Sequence, residues 1–231
     1  MKTDFLPGID ASYHQDSSLY TMNSDTELLG YFMHVLHKDD VLDIGCGQGA
    51  LLIYAGMHKP RSLTGIDLFP EVLEQAEKNL QANGMQAELI CSRVQDYHEK
   101  QFDVIVCNPP YFETEKETLK NDNAYRRAAR HAENLPMEEL YISADRLLKD
   151  NGRFFLVHKA VNLQKLIVLG SEHHMKLARM RLAYDHEDGK AKSVLLEFRK
   201  GRCPETVFEE PAYLNDRASM QKYMDFTNSG K

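Results

Sequence analysis

The stretch VLDIGCGQGALL, residues 41–52, runs from apolar residues through three glycines at alternate positions into a second apolar run. This order predicts a buried strand, a tight turn and a helix. Glycine lets the backbone turn sharply and approach a ligand closely, and the new helix start offers unpaired N–H groups. A glycine-rich loop alone is weak evidence for a ligand, since it also suits a turn that binds nothing.

An acidic residue follows at the distance that a cofactor site requires. The next predicted strand, in LTGIDL, ends at Asp67, roughly 20 residues beyond Gly45. A carboxylate at that strand end can accept hydrogen bonds from both hydroxyls of a ribose. The loop and the acid together predict a site for a cofactor that contains adenosine.

Apolar runs alternate with amphipathic stretches between residues 25 and 199. That alternation is typical of a parallel sheet covered by helices on both faces. We predict an α/β fold with a doubly wound, mostly parallel seven-stranded sheet. Its last two strands flank the turn-rich DHEDGK and should form a C-terminal antiparallel hairpin. The predicted strands are 40–45, 62–68, 87–92, 102–108, 153–159, 176–184 and 192–200.

Helices are predicted between these strands. Ser24, with Glu27 three residues later, is typical of a capping box at the start of the first helix. Pro70 suits the first turn of the third helix, and Gly84 its end. The predicted helices are 24–36, 49–58, 70–83, 135–152 and 162–172.

The length of 231 residues predicts a single domain over 1–231. Within it we expect an N-terminal extension at 1–24, the core at 25–200 and a loosely packed C-terminal tail at 201–231. The polar insertion at 113–134 is longer than most loops of compact domains, and such loops are usually functional or disordered. A basic set in a late strand, Lys176, Arg179 and Arg181, is expected at the surface.

Composition excludes several classes of protein. No segment approaches the ~20 apolar residues needed to cross a bilayer and the first residues lack a secretion signal, so we expect a cytoplasmic protein without a membrane role. The four cysteines, at 46, 91, 107 and 203, lack metal-ligand spacing, so we expect reduced thiols in the core or lining a site, and no metal. The formal net charge of -7 offers no overall attraction for a polyanion, so nucleic acid would need a local basic patch.

A second motif, VIVCNPPYF at 104–112, ends a buried strand with Asn108, Pro109, Pro110 and Tyr111. The prolines hold the backbone rigid, so the Asn108 side-chain oxygen and the Pro109 carbonyl form a fixed pair of acceptors. Such a pair can bind both hydrogens of an exocyclic NH₂ and favour the pyramidal nitrogen that attacks a methyl group. Tyr111, with Phe112, can stack on the flat group that carries the amine. The alternative interpretation is a strand terminator without chemistry.

Both motifs resemble those of class I S-adenosylmethionine-dependent methyltransferases. Their first motif, E/DxGxGxG, is matched by Asp43 and the three loop glycines, and the second resembles the [N/D/S]PP[Y/F/W] signature of the amino-methyltransferases. The resemblance implies a Rossmann-like fold and S-adenosylmethionine as the cofactor, with the loop around its methionine part and Asp67 on its ribose. The cofactor-binding residues it implies are Asp43, Gly45, Cys46, Gly47, Gly49, Asp67, Leu68, Arg93, Val94 and Asn108.

Over most of its length the chain resembles the bacterial tRNA adenine-N6 methyltransferases that modify the adenosine beside the anticodon of valine tRNA. The similar segments include SDTELLG, VLDIGCGQG, CNPPYF, RRAARHAENLPMEEL, LLKDNGRFFLVHKA and KSVLLEFRKG. The resemblance implies methylation of adenine N6 in tRNA. The chain departs from the pattern after the third strand, where Arg93 replaces the Asp that meets the cofactor's adenine, and there the Val94 backbone is expected to make this contact.

The sequence RRAARH, at the end of the long insertion, supplies a candidate RNA-binding patch of Arg126, Arg127 and Arg130. Guanidinium groups suit phosphates, although a solvated helix start paired with nearby glutamates explains the same charges. Several alternative functions stay open: protein glutamine N5-methylation, N2-guanine methylation of rRNA, DNA adenine methylation, and a non-catalytic module that binds S-adenosylmethionine. Glutamine methyltransferases also carry NPPY, but they have a helical domain for which the ~40 residues before the glycine loop are too few.

Overall fold

The computed structural model describes residues 2–6, 8–16, 19, 22–109, 135–202, 205–216 and 220–221. The helices of this part of the chain are α1 (Ser24–Phe32), α2 (Ala50–Gly56), α3 (Pro70–Ala82), α4 (Met137–Leu147) and α5 (Leu163–Glu172). Single 3₁₀ turns lie at Val94–Asp96 and Ala160–Asn162.

The strands form a small hairpin and one large sheet. β1 (Lys2–Phe5) pairs antiparallel with β2 (Ser12–Gln15). The large sheet has the order β10-β8-β9-β7-β6-β3-β4-β5, with β11 also paired to β8. Its strands are β3 (Asp40–Ile44), β4 (Ser62–Asp67), β5 (Glu88–Cys91), β6 (Phe102–Cys107), β7 (Leu148–Lys159), β8 (Met175–Tyr184), β9 (Ala191–Lys200), β10 (Val207–Phe208) and β11 (Ala212–Tyr213).

The predicted sheet is confirmed in its main features. Strands β3 to β7 are parallel to one another, and β8 and β9 form the antiparallel pair, with β9 running antiparallel to β7. The strand order reverses at β3, where β4 lies on one side and β6 on the other. In an open parallel sheet, the crevice outside the strand ends at such a reversal is where ligands bind.

The predicted strand number is corrected, and so is the loose packing expected of the tail, for its described residues 205–216. The two-residue strands β10 and β11 each pair in parallel with β8, which raises the described sheet to nine strands. Ala212 is buried, and Glu209 accepts hydrogen bonds from both Arg179 and Arg181. Two-residue strands have no periodicity that a sequence pattern could reveal, and ion pairs hold them here.

Two helix ends differ from the prediction. α1 is capped by Asn23 rather than Ser24 and ends at Phe32, not at residue 36. Residues 148–152, predicted to end α4, begin β7 instead, with a register shift between Phe102 and Val104 on the facing strand. Lys149 bonds there to Asp40 and Asp103, which are distant in sequence, so a tertiary ion pair decides the boundary.

Hydrophobic cores lie on both faces of the sheet. Successive residues of the central strands point to opposite clusters: Val41 and Val104 pack with α1, α2 and the N-terminal hairpin, whereas Leu42 and Ile105 pack with α4 and α5. This period-two alternation in fully buried strands is typical of a doubly wound sheet. In the described part of the chain, no helix is both long and apolar enough to cross a membrane.

The N-terminal hairpin is fixed to α3 by two asparagines. Asn83 Oδ1 accepts from the backbone N–H of Ser12 at 3.0 Å, and Asn79 Oδ1 accepts from that of His14 at the same distance. The Asn79 amide donates to the His14 carbonyl at 3.1 Å and to the Gln48 carbonyl at 2.9 Å. A single buried side chain thus joins β2 to the glycine-rich loop.

Candidate active site

The glycine-rich loop occupies the turn between β3 and α2. The N–H groups of Gly45 and Cys46 donate to the Ile66 carbonyl of the neighbouring strand, at 2.8 and 3.1 Å. Gly45, Gly47 and Gly49 have φ values of +71°, +52° and +90°, a region that disfavours side chains. A Cβ placed at Gly45 or Gly47 would meet nothing within 4 Å, so the loop borders open space where a ligand can lie against the backbone.

Asp67 ends β4 beside this loop and is 3% exposed. Its Oδ2 accepts from the Gly47 N–H at 3.0 Å, and its Oδ1 accepts from the Phe69 N–H at 3.2 Å. Two backbone donors therefore fix the orientation of the carboxylate. The group lines the same cleft as the loop.

Asp43 lies beneath the loop on β3 and is fully buried. Neither of its oxygens has a hydrogen-bond partner among the described residues. Burial, and then the negative charge of Asp67, raises the pKa of Asp43 well above its ordinary value. Burial also raises the pKa of Cys46 and of Cys107, and Asp43 adds to both shifts.

A buried carboxyl group without a hydrogen-bond partner, such as that of Asp43, favours a cationic ligand nearby when it is ionised. An isolated charge is costly in the interior, and a cation nearby offsets this cost. S-adenosylmethionine carries an ammonium and a sulfonium, so the carboxyl group fits this cofactor. The open space beside Gly45 and Gly47 fits it as well.

Two adjoining pockets surround these groups and share Ile44, Gly45, Asp67 and Leu135. The first brings Gly45, Cys46, Gly47 and Asp67 together with Cys107, Asn108 and Pro109. The second adds Leu68, Ser92, Arg93, Val94 and Gln95 beside Asp67. Asp43 and Gly49, also predicted to bind the cofactor, line neither pocket: Asp43 lies beneath the loop, and Gly49 caps α2 against Ala76.

Asn108 follows the last residue of β6, at the carboxyl edge of the sheet. Its Nδ2 donates to Thr26 Oγ1 at 2.9 Å and lies 3.4 Å from Asn23 Oδ1. The first turn of α1 therefore contacts the NH₂ end of the Asn108 amide. Other predicted substrate and catalytic residues lie outside the described residues, namely Pro110, Tyr111, Phe112, Arg126, Arg127 and Arg130.

Several lining residues were missed by the motifs. Tyr13 and Met22 belong to the segment predicted as an extension, yet both line the first pocket. Tyr13 is buried, and burial together with Asp43 and Cys46 raises its pKa. No short sequence pattern identifies these residues, because hydrogen bonds to α3, which is distant in sequence, place the N-terminal hairpin beside the pocket. The other lining residues outside the predicted set are Thr26, Gln48, Ala50, Leu51, Phe69, Val72 and Leu135.

The cysteines agree in part with the expectation of thiols in the core or the site. Cys46 and Cys107 are free, buried and on the pocket wall, whereas Cys91 is free but exposed at the end of β5. Among the residues that the structure describes, no cluster of three or more His, Cys, Asp or Glu side chains could hold a metal ion.

The doubly wound sheet and the cleft at its carboxyl edge define a Rossmann-like methyltransferase that uses S-adenosylmethionine. Residues 18–167 match the model of the methyltransferase small domain, and the chain belongs to this family. The resemblance inferred from the sequence motifs is thereby confirmed at the level of fold, enzyme class and cofactor.

Named relatives give a finer comparison. A Dyadobacter fermentans protein named tRNA1(Val) (adenine(37)-N6)-methyltransferase is 29% identical over 201 residues, which cover 85% of this chain and 82% of that protein. A Shewanella halifaxensis protein of the same name is 30% identical over 187 residues, which cover 78% and 74%.

A solved structure supports the fold. The T. thermophilus 16S rRNA N2-guanine methyltransferase, in complex with AdoMet and guanosine, superposes with a TM-score of 0.61 at 20% identity. The match covers 87% of this chain and 50% of that chain.

Proposed function

We propose that this protein transfers a methyl group from S-adenosylmethionine to the exocyclic N6 of an adenine in tRNA, near the anticodon. The observation that carries the proposal is the position of Asn108 in the same cleft as the glycine loop and Asp67. An amide oxygen at that place suits an acceptor amine rather than a hydroxyl, which would need a general base.

The chemistry divides between the cofactor and the chain. When bound, S-adenosylmethionine supplies an electrophilic methyl group on its sulfonium. The side-chain oxygen of Asn108 and the carbonyl of Pro109 accept hydrogen bonds from the two hydrogens of the amine, which weakens the conjugation of its lone pair. Asn108 cannot take the proton that the nitrogen loses after attack, so the proton passes to solvent.

Binding of the cofactor is assigned to the two buried acids and the loop. Asp67, fixed by two backbone N–H groups, accepts from the ribose hydroxyls. Asp43 acts at longer range: its carboxyl group lies without a hydrogen-bond partner beneath the loop, and its ionised form would favour a cation in the cleft. Arg93 and Val94 border the second pocket, where the adenine ring fits beside Asp67.

The substrate class rests on the relatives. Both named relatives are tRNA1(Val) (adenine(37)-N6)-methyltransferases, and each match covers most of either chain. An anticodon-loop base leaves its stack at low cost, as a site at a strand end requires. We assign Tyr111 and Phe112 to stacking on the target base, and Arg126, Arg127 and Arg130 to the tRNA phosphates. A single catalytic domain over 1–231 acting in the cytoplasm is part of this proposal.

The test uses purified protein, radiolabelled S-adenosylmethionine and three separate fractions: unmodified bacterial tRNA, ribosomal RNA and protein. Digestion of labelled RNA to nucleosides should give N6-methyladenosine from tRNA alone. Label in N2-methylguanosine from ribosomal RNA, or in protein glutamine, would reject tRNA adenine as the substrate. Either result would still agree with methyl transfer to a planar nitrogen. Tight binding of the cofactor without label in any fraction would favour a module that only binds it.

A further inference from the structure

The orientation of the Asn108 amide is set at the first turn of α1, which reaches the pocket wall at Thr26. Asn23 caps this helix, and its Oδ1 accepts from the backbone N–H of Thr26 at 3.0 Å. The Thr26 hydroxyl lies 3.1 Å from the same oxygen. Asn108 Nδ2 lies 2.9 Å from that hydroxyl, so cap, hydroxyl and amide form one hydrogen-bonded series.

The backbone N–H of Thr26 fixes which atom donates and which accepts in each of these hydrogen bonds. A backbone N–H can only donate, so the cap atom of Asn23 facing it is the carbonyl oxygen. The Thr26 hydroxyl has a single hydrogen, and it donates this hydrogen to the same oxygen. Its lone pairs then face Asn108, which must present its NH₂ group to Thr26.

The reversed amide is disfavoured for two reasons. Its oxygen would lie 3.4 Å from Asn23 Oδ1, and two carbonyl oxygens repel each other at that distance. It would also take the Thr26 hydrogen away from the cap. The two ends of an amide have nearly the same shape, so packing does not select between them and the hydrogen bonds decide.

We propose that Thr26, oriented by the Asn23 cap, is a positioning residue that turns the Asn108 carbonyl oxygen toward the acceptor amine. The inference rests on the proposed function, in which that oxygen accepts a hydrogen from the substrate nitrogen. Without the Thr26 hydroxyl the amide loses its 2.9 Å acceptor and keeps only the 3.4 Å contact with Asn23 Oδ1, so the reversed amide becomes easier to reach. In that orientation its NH₂ would face the NH₂ of the substrate. The role does not depend on whether the nitrogen belongs to adenine or to another planar amine.

The decisive variants are Thr26→Val, which keeps the shape and removes the hydroxyl, and Thr26→Ser, which keeps the hydroxyl. The backbone bond of the cap survives in both. Thr64→Val is the matched control, because Thr64 is fully buried on β4 and its hydroxyl has no partner among the described residues. Each protein is assayed for kcat with saturating S-adenosylmethionine and unmodified tRNA1(Val) transcript, for the cofactor Kd by calorimetry, and for Tm.

We expect Thr26→Val to lower kcat on the order of tenfold, the rate equivalent of one net hydrogen bond of ~1.4 kcal/mol. The cofactor Kd should stay within about twofold, because valine keeps the shape of the pocket wall and the lost hydroxyl faces Asn108. Thr26→Ser should retain wild-type kcat, and Thr64→Val should match the wild type in kcat and Kd. This pattern separates positioning from a general loss of structure, which would lower Tm and which serine would not rescue.

Three results would overturn the inference. The first is an unchanged kcat in Thr26→Val, and the second is a weakened cofactor Kd with kcat restored at saturation, which would make Thr26 a cofactor ligand. The third is failure of Thr26→Ser to restore kcat. The proposed function fails separately, when wild-type protein yields no N6-methyladenosine or when Asn108→Ala retains turnover. An active wild type, an inactive Asn108→Ala and an unaffected Thr26→Val would reject this inference alone.

Discussion

At the scale of the residue, we assign catalysis to Asn108 and cofactor binding to Asp67. Substitution of each residue tests this assignment. Asn108→Ala should lower kcat by about 100-fold or more, the cost of losing a group that stabilises a transition state, with little change in cofactor Kd. Asp67→Ala should instead weaken the cofactor by roughly 10- to 100-fold, because hydrogen bonds to a charged group contribute ~1.5–3 kcal/mol each. Single-turnover kinetics and calorimetry measure the two effects, and similar effects of both variants would contradict the assignment.

The raised pKa of Asp43 predicts that the thermal stability of the cofactor-free protein depends on pH. The folded pKa of Asp43 is raised, so ionisation above its unfolded value of ~3.9 destabilises the fold, increasingly as pH rises toward the folded pKa. Asp43→Asn should therefore raise the Tm of the cofactor-free protein at pH 8, by ~2–4 °C for each kcal/mol relieved. The gain should shrink as pH falls through the raised pKa, and S-adenosylmethionine should bind more weakly to the variant. A Tm gain that is the same at pH 8 and pH 5 would contradict this explanation.

At the scale of the element, the N-terminal hairpin depends on α3 for its place over the glycine loop. Asn79 is fully buried and bonds to His14 on β2 and to Gln48 in the loop. Asn79→Ala removes the hydrogen bonds that join His14 to Gln48, at a cost on the order of 1 kcal/mol each, so both Tm and cofactor affinity should fall. We expect the cofactor Kd to rise on the order of tenfold.

Gln81→Ala on the same helix is the matched control for the hairpin, since its exposed amide bonds to Glu77. Differential scanning fluorimetry and calorimetry on both variants give the comparison. A fall in Tm without a change in cofactor Kd would show that the hairpin stabilises the fold but does not shape the pocket.

At the scale of the whole molecule, Arg179 joins three distant parts of the chain. Its guanidinium donates to Glu197 on β9, to Glu209 next to β10, and to the Phe32 carbonyl at the end of α1, at 2.8, 2.7 and 2.6 Å. The guanidinium carbon also lies 4.0 Å from the centre of the Phe32 ring. The expectation of a surface position for Arg179 and Arg181 is therefore wrong: both are largely covered and paired with acids.

Arg179→Met should lower the free energy of unfolding by ~3 kcal/mol or more, because it removes one partner of a buried pair and leaves Glu197 in the interior. Arg199→Met is the matched control: Arg199 bonds to the other oxygen of Glu197 but is more exposed, so we expect a smaller loss. Urea unfolding at pH 7 gives both values. Equal losses would mean that the bonds to Phe32 and Glu209 contribute nothing.

The glycine spacing and Asp67 were sufficient to predict a cofactor that contains adenosine, because local backbone geometry and a strand-end carboxylate depend on short stretches of sequence. The resemblance of both motifs to those of class I methyltransferases then implied S-adenosylmethionine. The mostly parallel character of the sheet also followed from the alternation of apolar and amphipathic segments. Helix ends were less predictable. Asn23 replaced Ser24 as the cap of α1, and the pairing of Lys149 with distant acids turned the predicted end of α4 into β7.

The sequence by itself determined the sheet, the position of the glycine loop and the type of chemistry, since each depends on residues that are neighbours along the chain. Only the tertiary structure decided that Tyr13 and Met22 line the pocket, that Asp43 lies unpartnered beneath it, and that Thr26 contacts Asn108. The contact between Thr26 and Asn108 joins residues 82 positions apart. The energies of such contacts depend on burial and on the direction of individual hydrogen bonds, which no local pattern of residues encodes.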